Sequence, residues 1–276
     1  MSVAAEIKQD QNDSKKLTLE DIIQISGLSY GIADASYRLI DNETGDYTLL
    51  FETGRLARGI EVSFDQENIL LRLSLPTSRE EIHCFYETIR KICDRKETRQ
   101  FLHEEEWKDL DEIPGLIEND IRASIGALED LREKVKENEY KHFQIFGICF
   151  PISLGKRELE EIANDLDRFA DFMNRLQSMN VYYSAPKVYD IHGKLTGIYF
   201  TDTNLPTVLP TEPYIVMNQV EGIEEWYVML KDQRTIPYQD FIGFIRDQEY
   251  FDADHILFVL TEEEVQMLAD HYAVEI

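Results

Sequence analysis

Polar and apolar positions along the chain repeat either at two or at three and four, and this spacing predicts an order of elements. Thr18 opens a short helix, TLEDIIQIS, with Asp21 placed as a reciprocal acidic cap and Gly27 where a left-handed glycine closes a helix. YRLIDNETGDYTLLFE reads as two strands about Asn-Glu-Thr-Gly, and RGIEVSFDQENILLRLSLP as another pair about Asp-Gln-Glu-Asn. An antiparallel meander is expected. Ser78 and Glu81 make a second capping box, for a helix whose Ile82, Phe85, Tyr86, Ile89, Ile92 and Cys93 share one face. LHEEEWKDLDE, residues 102–112, is acidic and poorly patterned, and Pro114-Gly115 punctuates before a helix from Leu116 to about Glu137.

Beyond a loose boundary near residue 139, HFQIFGICFP is apolar on both faces and is expected as a central strand. One long helix then runs from Lys156 to about Met179, with Leu159, Ile162, Ala163, Leu166, Phe169, Ala170, Met173 and Leu176 as its stripe. NVYYSAPKVYD and KLTGIYFT form a hairpin about His192-Gly193, followed by a proline-punctuated loop from Asp202 to Pro213. EEWYVMLK is a strand, PYQDFIGFIRDQ a helix and DHILFVL a last strand, before a terminal helix opened by Thr261 with Glu264 as reciprocal cap. A strand ending in proline, a polar turn and an amphipathic helix occurs around Pro76 and again around Pro151, a faint internal echo. The expected fold is α+β, with largely antiparallel sheets and helices packed against them in two subdomains or closely packed halves. Residues 1–16 are expected as a flexible tail, 17–138 as a β-meander plus helices, and 139–276 as a C-terminal α+β subdomain.

Composition narrows what such a fold could do. The 276 residues carry 54 acidic against 28 basic side chains, a formal net charge of −26. Nucleic acids and anionic membrane surfaces are recognised largely through Lys and Arg, so neither is an expected partner, whereas a basic protein would be attracted. Acidity that merely maintains solubility is the plainer alternative. No window approaches the ~20 apolar residues of a membrane span, and the polar start has no signal-peptide core, so the cytoplasm is the expected location. Three cysteines without a close pair provide neither a disulfide framework nor a zinc cluster. Cys93 and Cys149 read as core residues, and Cys84 faces Glu80, Glu81 and Glu87, whose charge would raise its thiol pKa.

Several stretches imitate catalytic or metal motifs. GLSYG, residues 27–31, matches G-x-S-x-G, but a nucleophile elbow needs a strand before the serine and a helix after it. Ser29 is expected in a glycine-capped turn between a helix and a strand, and is not taken as catalytic. His103-Glu104-Glu105-Glu106-Trp107 begins like H-E-x-x-H, yet Trp107 offers no lone pair to a metal, and an aromatic contact between His103 and Trp107 on a helix face is the better reading. Asp41 to Glu52 has the length of a calcium loop, but Asp46 replaces its glycine and the flanks are β-rich, which favours a hairpin. Asp252-Ala253-Asp254-His255 could bind a divalent ion; a turn ahead of a strand is the favoured reading, and no metal ligand or cofactor is assigned. Arg90, Lys91, Arg95, Lys96 and Arg99 form a basic cluster that complements a helix C-terminus.

Tyr182, Tyr183, Tyr189, Tyr199 and Trp226 lie on expected strands beside the loop with Pro206, Pro210 and Pro213. Core or cross-strand packing competes with a role in binding, and any contiguous exposed part would be a docking surface.

The succession LSLPTSREEIHCFYETI, IFGICFPISLGKRELEEI, LQSMNVYYSAPKVYD and YQDFIGFIRDQEYFDADHILF resembles an uncharacterised family of cytosolic proteins from Gram-positive bacteria, a domain of unknown function. The likeness covers most of the chain beyond the tail and implies no reaction, ligand or functional residue. The expected function is a non-catalytic protein-interaction module that favours a basic partner, with toxin neutralisation or nucleic-acid mimicry as a narrower form. An enzyme or small-molecule binder whose pocket is assembled from distant residues is the alternative.

Overall fold

Val3, Ala5 and Ile7 are buried and alternate with Ala4 and Glu6 in strand β1 (Ser2–Ile7), which is hydrogen-bonded between two later strands of a sheet. The expected flexible tail is therefore corrected over its first residues: period-two alternation buries Val3 and Ile7, each worth roughly 1.5–3 kcal/mol. The computed structural model describes residues 1–9, 16–66, 68–216, 220–245 and 248–276. Residues 10–15 of the expected tail, Glu67 of the Asp-Gln-Glu-Asn turn, and residues 246–247 of the PYQDFIGFIRDQ helix lie outside the described residues.

The chain divides into two compact units, Met1–Ser178 and Met179–Ile276. In the first, β1 is followed by α1 (Leu19–Ser26), β2 (Ser29–Ala33), β3 (Leu39–Asp41), β4 (Thr48–Phe51), β5 (Ile60–Asp65), β6 (Asn68–Ser74), α2 (Arg79–Lys96), β7 (Gln100–His103), β8 (Glu106–Asp109) and α3 (Ile113–Lys136). β9 (His142–Phe146), β10 (Pro151–Gly155), α4 (Lys156–Ile162) and α5 (Leu166–Gln177) complete it. Eight strands form one antiparallel sheet in the order β3-β2-β4-β5-β6-β1-β7-β8. Its core face, with Leu50, Ile60, Val62, Ile69, Leu71, Leu73 and Phe101, packs against Ile22 of α1, Ile82, Phe85 and Ile89 of α2, and Leu116 of α3. The meander is modified at one place, because β2 intervenes between β3 and β4.

The local signals at the helix ends hold for α1 and only in part for α2 and α3. Thr18 and Asp21 make the reciprocal capping box of α1, and Gly27 closes it at φ 72°. Ser78 caps α2, but the Glu81 carboxylate does not turn back to it. Glu81 instead accepts hydrogen bonds from the backbone N–H groups of Arg58 and Gly59 and from the Thr77 hydroxyl, fastening the β4–β5 loop to the start of α2. Pro114 sits in the first turn of α3, where its missing N–H costs no helical bond, so the helix starts before the expected position.

Two expectations for residues 142–179 are corrected. HFQIFGICFP is not one strand; β9 and β10 pair antiparallel about a turn over 147–150, and Pro151 opens a strand, which removes the echo of Pro76. The long helix is two, because Ala163 adopts φ 53° and Asp165 restarts the chain by capping the N–H groups of Asp167 and Arg168. α3 contacts α4, and α2 contacts α5, so residues 139–178 group with the first unit and the division falls after Ser178, beyond the expected boundary near 139.

The second unit contains β11 (Tyr182–Tyr183), β12 (Lys187–Ile191), β13 (Lys194–Phe200), β14 (Thr207–Pro210), β15 (Glu225–Met229), β16 (Thr235–Pro237), α6 (Tyr238–Phe244), β17 (Glu249–Tyr250), β18 (His255–Phe258) and α7 (Glu262–Tyr272). Its sheets run β11-β14-β18-β17 and β12-β13-β15-β16, antiparallel except for β11–β14 and β13–β15. The β12–β13 hairpin turns at His192 and Gly193, both with positive φ, as two-residue hairpins require. β14 lies inside the expected proline loop, where the buried run Thr207-Val208-Leu209 pairs with β18. Both sheets contribute to one core, which includes Leu209, Val228, Ile236 and Ile256, with Phe241 of α6 and Leu268 of α7. Thr261 and Glu264 cap α7 reciprocally. The whole is an α+β fold with largely antiparallel sheets.

Candidate functional site

Ser29 follows the Gly27 cap and opens β2, so helix, turn and strand occur in the reverse of the order a nucleophile elbow needs. Its hydroxyl is exposed and bonded to Thr53 Oγ1 at 2.9 Å. Cys84 and Cys149 are each pushed up to about 11, and Cys93 to about 12, in every case chiefly by burial. For Cys84 the carboxylates of Glu81 and Glu52 add to that effect. Such thiols are protonated at neutral pH and poorly nucleophilic.

The expected pairing of His103 with Trp107 on a helix face is corrected. Glu104 and Glu105 have φ of 47° and 69° and form the two-residue turn of the β7–β8 hairpin. His103 points into the core, whereas Trp107 pairs with Leu102 and is 55% exposed. In the core, Tyr86 donates its hydroxyl proton to Asp120 Oδ2 at 2.6 Å and lies 2.9 Å from His103 Nε2. With its proton committed, the phenol oxygen accepts from Nε2–H, which fixes the histidine tautomer. Burial lowers the pKa of His103 and raises those of Asp120 and Tyr86. This cluster was missed in the sequence, although Asp120 carried a signal: it stands between Leu116 and Ser124 on the buried face of α3.

The segment Asp252 to His255 is a turn. Asp252 Oδ1 accepts from the backbone N–H groups of Asp254 and His255, each at 2.9 Å, and from His255 Nδ1 at 2.7 Å. Nε2 lies on the other side of the ring, and the hydroxyls of Tyr183 and Tyr214 stand 2.9 and 3.0 Å from it. The two phenols also bond each other, giving a chain that ends on a buried carboxylate. Where an Asp–His pair would activate a nucleophile, tyrosines occupy the free nitrogen. Among the described residues no group of three or more His, Cys, Asp or Glu side chains is placed to hold a metal ion.

The five expected binding aromatics separate. Tyr183 and Tyr199 are 3% and 1% exposed and take the core packing that competed with a role in binding: Tyr183 bonds His255, and Tyr199 bonds the backbone of Tyr214. Tyr182 and Trp226 are half-buried, with the Trp226 ring filling the space over Gly197. Tyr189 is exposed. The basic cluster is likewise dispersed: Lys91 reaches the Ser26 carbonyl at the end of α1, Arg90 pairs with Glu87, and Arg99 pairs with Asp109 and Asp111.

A different surface emerges on the side of the eight-stranded sheet opposite the helices. Cross-strand register places Leu49, Glu61, Arg72 and Ala4 in one row, and Ser63, Leu70, Glu6, Leu102 and Trp107 in the next. Ala4 and Ser63 have short side chains among longer ones, and a groove of about 370 Å³ lies over them, floored by Leu70 and Leu102.

These features define an α+β protein with a helix-backed sheet whose other side is open. The chain matches the family described as Domain of unknown function (DUF4299) over residues 2–268, from the first residue of β1 into α7, and belongs to that family. No curated protein and no solved structure matches it. Among the described residues no helix is long and apolar enough to cross a membrane.

Proposed function

We propose that this protein is a non-catalytic interaction module of the cytoplasm that binds a basic protein partner. The observation that carries this reading is the disposition of its charges. Many basic side chains are already engaged within the fold, as in Arg99 with Asp109, Arg175 with Glu161, Lys134 with Asp130 and Lys194 with Glu225, while acidic groups outnumber basic ones 54 to 28. The surplus carboxylates create a negative field that attracts cations and repels polyanions. Neutralisation of a basic toxin is a specific form of this reading.

The test is capture on the immobilised full chain, followed by recombinant preparation of whatever basic protein is retained and measurement of its association kinetics. A stoichiometric complex whose association rate falls as ionic strength rises is expected. Retention of no basic protein, or an association rate indifferent to salt, overturns the reading, as does selective labelling of Ser29 by a serine-directed probe that Ser29→Ala abolishes.

A further inference from the structure

The open side of the eight-stranded sheet has both an apolar floor and a charged rim. Leu70 and Leu102 are half-buried, and Tyr47 and Trp107 are 66% and 55% exposed. The helices α1, α2 and α3 bury the opposite side. Around the groove stand four carboxylates, Glu6, Glu61, Glu104 and Glu105, with Arg72 as the cation among the lining residues. Glu104 accepts from the Ala4 N–H at 2.7 Å, and Glu6 holds Lys8. Arg72 donates to Ser2 Oγ at 3.1 Å. The carboxylates of Glu61 and Glu105 make no hydrogen bond or ion pair with the described residues.

We infer that this side of the sheet is where the basic partner docks, through a Lys- or Arg-rich segment carrying one large apolar side chain that enters the groove; the inference rests on the function proposed above. The rim supplies charge complementarity to the flanking cations, and the depression over Ala4 and Ser63 provides the desolvated pocket in which an anchor residue acts. A second copy of the chain does not fit the same surface, because face-to-face contact would set these carboxylates against their own copies.

The probes are two lysine-rich peptides of equal length, one with a central tryptophan and one with alanine in its place, titrated against the full chain at low ionic strength. Three variants accompany it: Glu61→Lys/Glu105→Lys on the rim, Ala4→Trp to fill the groove, and Glu118→Lys/Glu133→Lys on exposed positions of α3 as a reversal of equal charge. All five positions are half-exposed or exposed, and matching urea midpoints confirm that the variants fold. The tryptophan peptide is expected to bind about tenfold more tightly than its alanine counterpart, and the rim and groove variants to lose at least about tenfold, against less than about threefold for the α3 variant. An equal loss in the rim and α3 variants means that net charge acts without this surface; the docking site falls while the basic-partner reading stands. Absence of binding by either peptide removes both. Concentration-dependent dimerisation that the rim variant abolishes makes a second copy the occupant and overturns the inference.

Discussion

His255 Nδ1 lies 2.7 Å from Asp252 Oδ1, and both side chains are buried, at 1% and 0% exposure. The same oxygen receives the backbone N–H groups of Asp254 and His255, so one atom of one side chain organises the approach to β18. Asp252→Ala would leave three donors buried without this acceptor and is expected to cost upward of about 3 kcal/mol, since each buried donor left unsatisfied costs about 1–3 kcal/mol. Asp252→Asn retains an oxygen and should cost less, about 1–3 kcal/mol. Urea unfolding followed by Trp226 fluorescence in a Trp107→Phe background reads the second unit directly. Equal midpoints in Asp252→Ala and the parent would show that the pair contributes nothing.

A second prediction concerns high pH. Burial is the largest cause that raises the hydroxyl pKa of Tyr86, Tyr183, Tyr199 and Tyr238 above the usual phenol value. In the unfolded chain these groups ionise near pH ~10, whereas in the fold they retain their protons. A folded pKa raised above the unfolded one gives a contribution that is complete below pH ~10 and is lost as pH rises beyond it. The urea midpoint should therefore drop steeply above pH ~10, with a limiting slope of about 1.4 kcal/mol per pH unit for each of these tyrosines. Tyrosinate absorbance should show a late step coincident with unfolding. A smooth titration of every tyrosine with the protein still folded is the contrary result.

What could be read from the sequence was mostly local. The caps at Thr18, Gly27 and Thr261, and the turn at His192-Gly193, depend on residues within a few positions of one another, and each is found as expected. The break between α4 and α5 is different, because alanine favours helix and the apolar stripe runs through Ala163 unbroken. Only the restart at Asp165 marks it. The buried clusters unite Tyr86 with His103 and Asp120, and Tyr183 with Tyr214 and His255, across separations that periodicity does not encode. The open groove also needs register: Ala4, Arg72 and Glu61 become neighbours only once β1, β6 and β5 are aligned.

Gln177, at the end of α5, shapes the turn that divides HFQIFGICFP. Its Oε1 accepts from Cys149 N–H at 2.6 Å and Phe150 N–H at 3.2 Å, and its Nε2 donates to the Phe150 carbonyl at 3.0 Å. Gln177→Ala should cost about 1–3 kcal/mol by leaving those backbone groups without partners. Gly147→Ala should damage the same contacts, since an added Cβ would stand 2.2 Å from Nε2. The double variant is then expected to cost less than the two single variants added together, a non-additivity that a denaturation cycle measures. Strict additivity would mean that glycine is required at 147 for a reason unrelated to Gln177.

The strongest prediction separates a strand from a tail at the start of the chain. β1 pairs with β6 from Ser2 to Ile7 and with β7 at Ala5 and Glu6, and the Met1 carbonyl accepts from Leu75 N–H at 3.0 Å. Removal of residues 1–7 would strip Val3, Ala5 and Ile7 from the core and leave β6 and β7 with facing unpaired edges in the middle of the sheet. The truncated chain is expected to lose amide-exchange protection at Leu71 and Leu73 and to aggregate through those edges. Val3→Asp should act in the same direction by placing an unpaired charge among apolar side chains, whereas Ala4→Asp, on the open side, should change stability by no more than about 0.5 kcal/mol. Because adjacent residues of a strand face opposite sides, this contrast between positions 3 and 4 is specific to the pairing; a flexible segment would tolerate both substitutions equally.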